Sequence, residues 1–355
     1  MLVVILAIIN SPRFNLHRLI VPGKSSVVKS DYSLGRLAPF LISALLTTLA
    51  AVRYNVGSDY FLYVNLFGRI NPNSFSETIQ TNPQSTTFAA FQFLLRQFTS
   101  QPMYLFGFSA AIPLVATLLA FKRLKVQLST ALYVYYFLGI YALSLNAVRQ
   151  SISVGILFLA MTYKETSKSR FYTLAFLAGL IHSSAFIALL IFLVLSNLRF
   201  NKRNVTLLTI TTLGLGGLTN QDLFKQFLSA FGPRYENHLN SEPASIGTWM
   251  NLSVKILIFL LVLYFNGNEG ENNKINMYLY FGILVLAMAL FASVIGRLEI
   301  YFSIFFTIAI AKMPKDSEGA RIIRSFIFLL LLVYFGFYIT FYNEVVPYQA
   351  HLNSR

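Results

Sequence analysis

From Leu37 to Tyr342 the chain repeats one pattern, an apolar stretch followed by a polar connector. Leu37 to Val52 is the first stretch that reads as a membrane crossing. Pro102 to Phe121, Leu128 to Asn146 and Val148 to Tyr163 follow, each running opposite to the last. The connectors after Phe121 (Lys122, Arg123, Lys125) and after Tyr163 (Lys164, Lys168, Arg170) are basic, which places them in the cytoplasm. Phe171 to Leu198 is followed by a further basic connector, Arg199, Lys202 and Arg203. Basic connectors at both ends require an even number of crossings, yet its 28 residues make only about 42 Å of helix, too little for two full spans. The stretch therefore reads as a re-entrant hairpin or a pair of short broken helices turning at His182-Ser183-Ser184. One long tilted helix is the alternative, and it would invert everything downstream.

On the hairpin reading, Val205 to Thr219 runs out, Thr248 to Phe265 in, Ile275 to Ile295 out, Arg297 to Lys312 in and Ser325 to Tyr342 out. Two polar segments, about 53-101 and 220-247, then lie outside. The first has Asn-Pro turns at Asn71 and Asn82 and an amphipathic stretch, Phe88 to Phe98, suited to an interface. Met1 to Ile9 is too short for a crossing and reads as an anchor fragment or a truncated start; a basic loop from Arg13 to Arg36 follows. The pattern predicts one all-α, polytopic membrane domain over 1-355 with about 9-11 transmembrane helices, including short broken or re-entrant helices around residue 182.

Composition agrees, since 56% hydrophobic residues and 12% charged ones do not make a soluble domain of 355 residues. The net charge of +15 would suggest nucleic acid in a soluble protein, but the topology absorbs it. It puts 19 of the Lys and Arg residues inside and 9 outside, while the carboxylates split 6 and 7. That asymmetry is in basic residues only, as the positive-inside rule requires. The chain has no cysteine, four scattered histidines, no His-Glu-x-x-His, no Asp-x-Asp pair and no Gly-rich phosphate loop. We therefore expect no metal, no cofactor, no cytosolic nucleotide substrate and no nucleic acid partner.

The same topology brings Arg53, Arg149 and Arg297 to the outer ends of their spans. Cations converging on one face imply an anion, and the planar guanidinium fork suits a phosphate or diphosphate. Each arginine taken singly also admits snorkelling or helix capping. Asp59, six residues after Arg53, can position or deprotonate a sugar hydroxyl or serve as an N-cap. His182 is a candidate general base, with inter-helix hydrogen bonding as the plainer role. Glu299 can pair with Arg297 or face elsewhere, and Lys255 reads first as a snorkelling side chain and second as a phosphate ligand. Tyr54, Tyr60, Tyr63, Phe67, Tyr235 and Trp249 are candidates for stacking on sugars or for an interfacial belt.

Together these stretches carry a resemblance. Arg53-x-x-Val-Gly-x-Asp59-Tyr60, Asn146-x-Val-Arg149-Gln150, His182-Ser-Ser-Ala-Phe, Arg297-x-x-x-Tyr301-Phe302 with Pro314 beyond, and Pro347-Tyr348 resemble, in the same order, the EpsG family of Wzy-type polysaccharide polymerases. The resemblance implies an enzyme that joins oligosaccharide repeat units carried on undecaprenyl diphosphate at the outer face of the bacterial inner membrane. It also implies kinship with the metal-independent, lipid-donor glycosyltransferases of the C-type fold, and work beside a flippase and a chain-length regulator. On this reading Arg149 and Arg297, joined by Arg53, hold the diphosphate; His182 or Asp59 assists the attacking hydroxyl; Gln150, Asn146, Glu299 and Tyr60 support them. A flippase for the same lipid-linked sugar, a glycan ligase and a non-catalytic scaffold are the rivals. A flippase calls for access from both faces and repeat-related halves, and the chain shows no internal repeat.

Overall fold

The structure is a computed structural model that describes residues 33-81, 86-218, 246-291, 293-314, 318-342, 346 and 348-350. The first nine residues, most of the basic loop after them and the polar segment with Tyr235 lie outside the described residues. Every named element is helical. In chain order they are α1 (Ser33–Val52), α2 (Tyr60–Gly68), α3 (Phe75–Thr81), α4 (Thr86–Arg96), α5 (Pro102–Arg123), α6 (Leu128–Phe137), α7 (Leu143–Asn146) and α8 (Val148–Met161). There follow α9 (Lys168–Ile181), α10 (Ser184–Leu195), α11 (Lys202–Leu218), α12 (Ile246–Asn266) and α13 (Gly270–Met288). Then come α14 (Ser293–Ser303), α15 (Phe305–Ala311) and α16 (Glu318–Phe337), which ends in a π-helical turn, Tyr338–Tyr342.

Helices α6, α8 and α15 form the centre. Nearly every residue of each is buried, so the sequences are apolar all round rather than striped. The helices around them expose leucine, valine and phenylalanine outward, among them Phe108 and Val115 on α5, Leu190 and Val194 on α10, and Leu329 and Val333 on α16. So much outward apolar surface needs lipid against it. Three helices are long and apolar enough to cross a membrane singly, Pro102–Arg123, Ile246–Asn266 and Glu318–Phe341, while Ala38–Val52, Val148–Met161 and Ser184–Leu195 are shorter apolar helices. Several of the other apolar stretches are divided into shorter helices. The reason is that the backbone breaks at 138-142, at Ala147, at His182-Ser183 and at Ile304.

The hairpin reading of Phe171 to Leu198 holds. Helices α9 and α10, of 14 and 12 residues, are about 21 and 18 Å long, each short of a bilayer core of about 30 Å. Lys164, ahead of α9, donates to Ser196 Oγ, just after α10, so both limbs start and finish at the same end of the bundle. Near the tip the limbs close on each other, and a Cβ on Gly179 would lie 2.3 Å from the Phe186 ring.

The basic connectors gather at that end. Arg123 donates to Thr162 Oγ1 (3.0 Å) and lies over the Tyr163 ring at 3.6 Å from its centroid. Lys274 pairs with Glu165 and Lys312 with Glu271, while the Phe200 backbone exchanges hydrogen bonds with Asn268 and Asn273. Arg53, Arg149, His182 and Arg297 are at the opposite ends of their elements.

Lys255 departs from its expectation. It is 3% exposed and binds Glu299 (2.9 Å), which also accepts from Ser303, so α12 grips α14 through a buried ion pair instead of sending a lysine outward. A carboxylate one and a half turns along the neighbouring helix is a better partner than the distant headgroup layer. Elsewhere close packing replaces polar pairing: a Cβ on Gly155 of α8 would sit 2.7 Å from Cα of Pro113 on α5.

Gly155→Val is expected to force α5 from α8 and cost about 1–3 kcal/mol, with Gly155→Ala milder, read as falling melting temperatures of the detergent-purified protein. Lys255→Met, which strands the Glu299 carboxylate, is expected to cost about 3–5 kcal/mol in the same assay, most of it recovered in Lys255→Met/Glu299→Leu.

Candidate active site

The site is assembled from four stretches far apart in sequence. The first is the loop from α1 to α2. Arg53 is 2% exposed; its Nη1 donates to the Leu145 carbonyl, and its guanidinium lies 4.1 Å from the Phe106 ring centroid. Asn55 and Gly57 have φ of +49° and +88°, and the second angle selects glycine. A Cβ there would stand 2.3 Å from Asn146 Oδ1 and 2.5 Å from the Leu145 carbonyl oxygen. Asn146 Oδ1 in turn accepts from the Ser58 N–H (2.9 Å). The Arg53-to-Gly57 loop is therefore a clasp closed on Leu145 and Asn146, and it fixes the break at Ala147 from which α8 starts with Arg149 in its first turn.

A third strand of chain closes this clasp from outside. Gln349 accepts from the Tyr54 N–H (2.9 Å), Ala350 bridges to Arg53, and the Tyr348 hydroxyl donates to the Leu49 carbonyl. Asp59 occupies the N-cap position of α2, but its side chain makes no capping bond and lies near Tyr63. Tyr63 is hydrogen-bonded to Arg149. Tyr63 thus lies close to both Asp59 and Arg149.

The hairpin tip supplies His182 in an extended conformation between the two limbs, half-buried and within electrostatic range of both Arg149 and Arg297. Arg297 is on α14, exposed, and forms no ion pair among the described residues. Gln150, next to Arg149 on α8, donates through Nε2 to the Arg297 carbonyl and ties α14 to α8. Arg149, His182 and Arg297 come together; Arg53 does not join them, because burial and the Leu145 carbonyl engage its guanidinium. Glu299 does not pair with Arg297 but points to Lys255. Two cations around one imidazole make a place where an anion is favoured and a third cation is not.

Beside the clasp lies a cleft of about 360 Å³ lined by Tyr54, Tyr60, Phe61, Gln101 and Phe106, with Arg53 at its floor. Tyr54 and Phe61 expose their rings, as does Trp249 on α12, whereas Tyr63 and Phe67 are buried and offer no face for stacking. Phe67 is held there against Arg96 (5.5 Å) and Tyr63 against Phe88.

Sequence reasoning missed the polar residues one turn deeper. Beneath Arg149, His182 and Arg297 the Tyr301 hydroxyl hydrogen-bonds to both Ser184 and Ser153. The i, i+4 spacing of Arg149 to Ser153 and of Arg297 to Tyr301 could have shown it, since such residues share a helix face. Among the described residues no three His, Asp or Glu side chains come together as a metal site would require.

No curated protein and no solved structure matches this chain. A family model does, over residues 36–350, a range that holds the clasp, both arginine-bearing helices and the hairpin tip. The match covers well over half of the sequence, and the chain belongs to the EpsG family, the family of Wzy-type polysaccharide polymerases.

Proposed function

We propose that this polysaccharide polymerase extends a glycan carried on undecaprenyl diphosphate, working at the outer face of the bacterial inner membrane. The observation that carries the proposal is the convergence of Arg149, His182 and Arg297, from three separate elements, at the end of the bundle opposite the basic connectors. Basic connectors stay in the cytoplasm, so the convergence point faces outward. Arg149 and Arg297 hold the diphosphate of the donor. The terminal hydroxyl of an incoming lipid-linked repeat attacks the anomeric carbon, the bond from that carbon to the diphosphate oxygen breaks, and the leaving diphosphate takes the electron pair. The two guanidinium groups stabilise the charge that develops on it, so no metal ion is called for. The hydroxyl proton passes to His182, whose charge is then offset by the diphosphate that the two arginines hold; Asp59, near Tyr63, is the second candidate. Asn146, Gln150 and Arg53 are braces for these groups, and Tyr60 is a wall of the aromatic cleft in which Tyr54 stacks on an acceptor sugar.

A flippase needs its cations reachable from both faces in turn. Gathering of the arginines at one end favours transfer chemistry instead. Partnership with a flippase and a chain-length regulator follows from the work itself, since a lipid-linked repeat made inside must be turned outward and its polymer stopped at some length.

In cells carrying Arg149→Ala, inserted at normal membrane levels, surface glycan should run on a gel as single-repeat material. Chain extension should fall by about 10²- to 10³-fold, and Arg149→Lys should recover only part of it because the planar fork is lost. Full-length polymer from Arg149→Ala would refute the diphosphate site. His182→Ala and Asp59→Asn, assayed for initial rates with purified lipid-linked substrate, separate the two candidate bases: the base should lose about 10²- to 10⁴-fold. The other variant should keep most of its activity.

A further inference from the structure

We propose that Tyr301 is a positioning residue: its hydroxyl is the middle link of a one-way hydrogen-bond chain that sets the height of the His182 hairpin against the helices bearing Arg149 and Arg297. The proposal rests on the functional reading above for what the positioning is for, but its geometry does not.

The direction of the chain follows from counting protons. Ser153 donates to the Ala178 carbonyl (2.7 Å), so its hydroxyl oxygen is left to accept, and Tyr301 donates to it (3.2 Å). A tyrosine hydroxyl has one proton. With that proton on Ser153, the contact between Ser184 Oγ and the Tyr301 hydroxyl (3.0 Å) requires Ser184 to be the donor. The order is Ser184 to Tyr301 to Ser153 to Ala178, from α10 through α14 and α8 to α9. Ala178 also accepts from the His182 N–H (3.0 Å), the bond that closes α9 before the tip. Its carbonyl therefore joins the backbone of His182 to the end of the chain.

Each link has reason to stay in place. Tyr301 is 2% exposed and Ser153 is wholly buried, so a broken link leaves a polar atom without water to replace the partner. The limbs α9 and α10 are too short to span and have no continuous ladder across residues 182 and 183, and nothing in their own apolar side chains specifies how far the tip rises. Ser184, the first residue of α10, and Ala178, in the last turn of α9, are polar attachments on either side of the tip, and Tyr301 reaches both, the second through Ser153. Tyr301 itself stands one turn below Arg297 on the same face of α14. A shift of Tyr301 therefore moves His182 relative to both arginines.

The chain has no cysteine, so Ser183→Cys, at an exposed tip position, gives a single site for a nitroxide label. In this background Tyr301→Phe and, separately, Ser184→Ala should each raise the mobility of the label, read by electron paramagnetic resonance in reconstituted membranes. In the unlabelled protein the same variants should lower kcat by about 10- to 100-fold with KM for lipid-linked substrate changed by less than about twofold, the mark of misplacement rather than lost binding. Unchanged label mobility overturns the proposal whatever the rate does, and a mobile label with full kcat overturns the link to the reaction. Full-length polymer from Arg149→Ala would instead defeat the functional reading, while the label would still decide whether Tyr301 sets the tip.

Discussion

Backbone that leaves the helix inside a bilayer must find hydrogen bonds within the protein, and the elements around this site leave it repeatedly. The buried polar side chains are found where this happens. Arg53 supplies the Leu145 carbonyl ahead of the break at Ala147, Asn146 takes the N–H of Ser58, Ser153 supplies the Ala178 carbonyl ahead of the His182 break, and Thr307 supplies Ile304 between α14 and α15. Breaking the helices is also what allows their ends to meet: an unbroken stretch through residue 182 would carry its histidine along a straight axis instead of presenting it at a tip.

The cations divide along the same line. Arg53 and Lys255 are both almost wholly buried, and each has its partner inside the protein, the Leu145 carbonyl and the Glu299 carboxylate. Removal of such a partner costs more than the pair contributes, because an uncompensated charge remains. Arg297 is exposed, and Arg149 is half-buried at the start of a helix. An arginine with part of its surface free can meet a ligand, whereas a wholly buried one holds the protein.

The family signature gains a physical meaning from this. In the Arg-x-x-Val-Gly-x-Asp stretch the arginine and glycine belong to the clasp, the glycine because φ and Asn146 both forbid a side chain. In Arg297-x-x-x-Tyr301 the first residue is exposed near His182 and the second hydrogen-bonds to Ser184 at the start of the second hairpin limb. A polymerase must keep two lipid-linked substrates apart from water and in register, and rigid short elements braced by polar links suit that task better than mobile loops.

What the sequence determined by itself was everything that depends on solvent. Apolar stretches require lipid or a core, and a 28-residue stretch between two basic connectors has to turn back, so the helical class and the His182 hairpin were legible in it. The sequence put Arg53, Arg149 and Arg297 on one face; the structure brings His182 to Arg149 and Arg297 and buries Arg53. Which charge does what was not legible. Arg53 and Arg297 look alike in the sequence, and Glu299 is as near Arg297 in number as any partner could be. Only tertiary packing buries the first, exposes the second and turns the carboxylate to Lys255, because burial and partner are set by elements that lie up to 92 residues away or more along the chain.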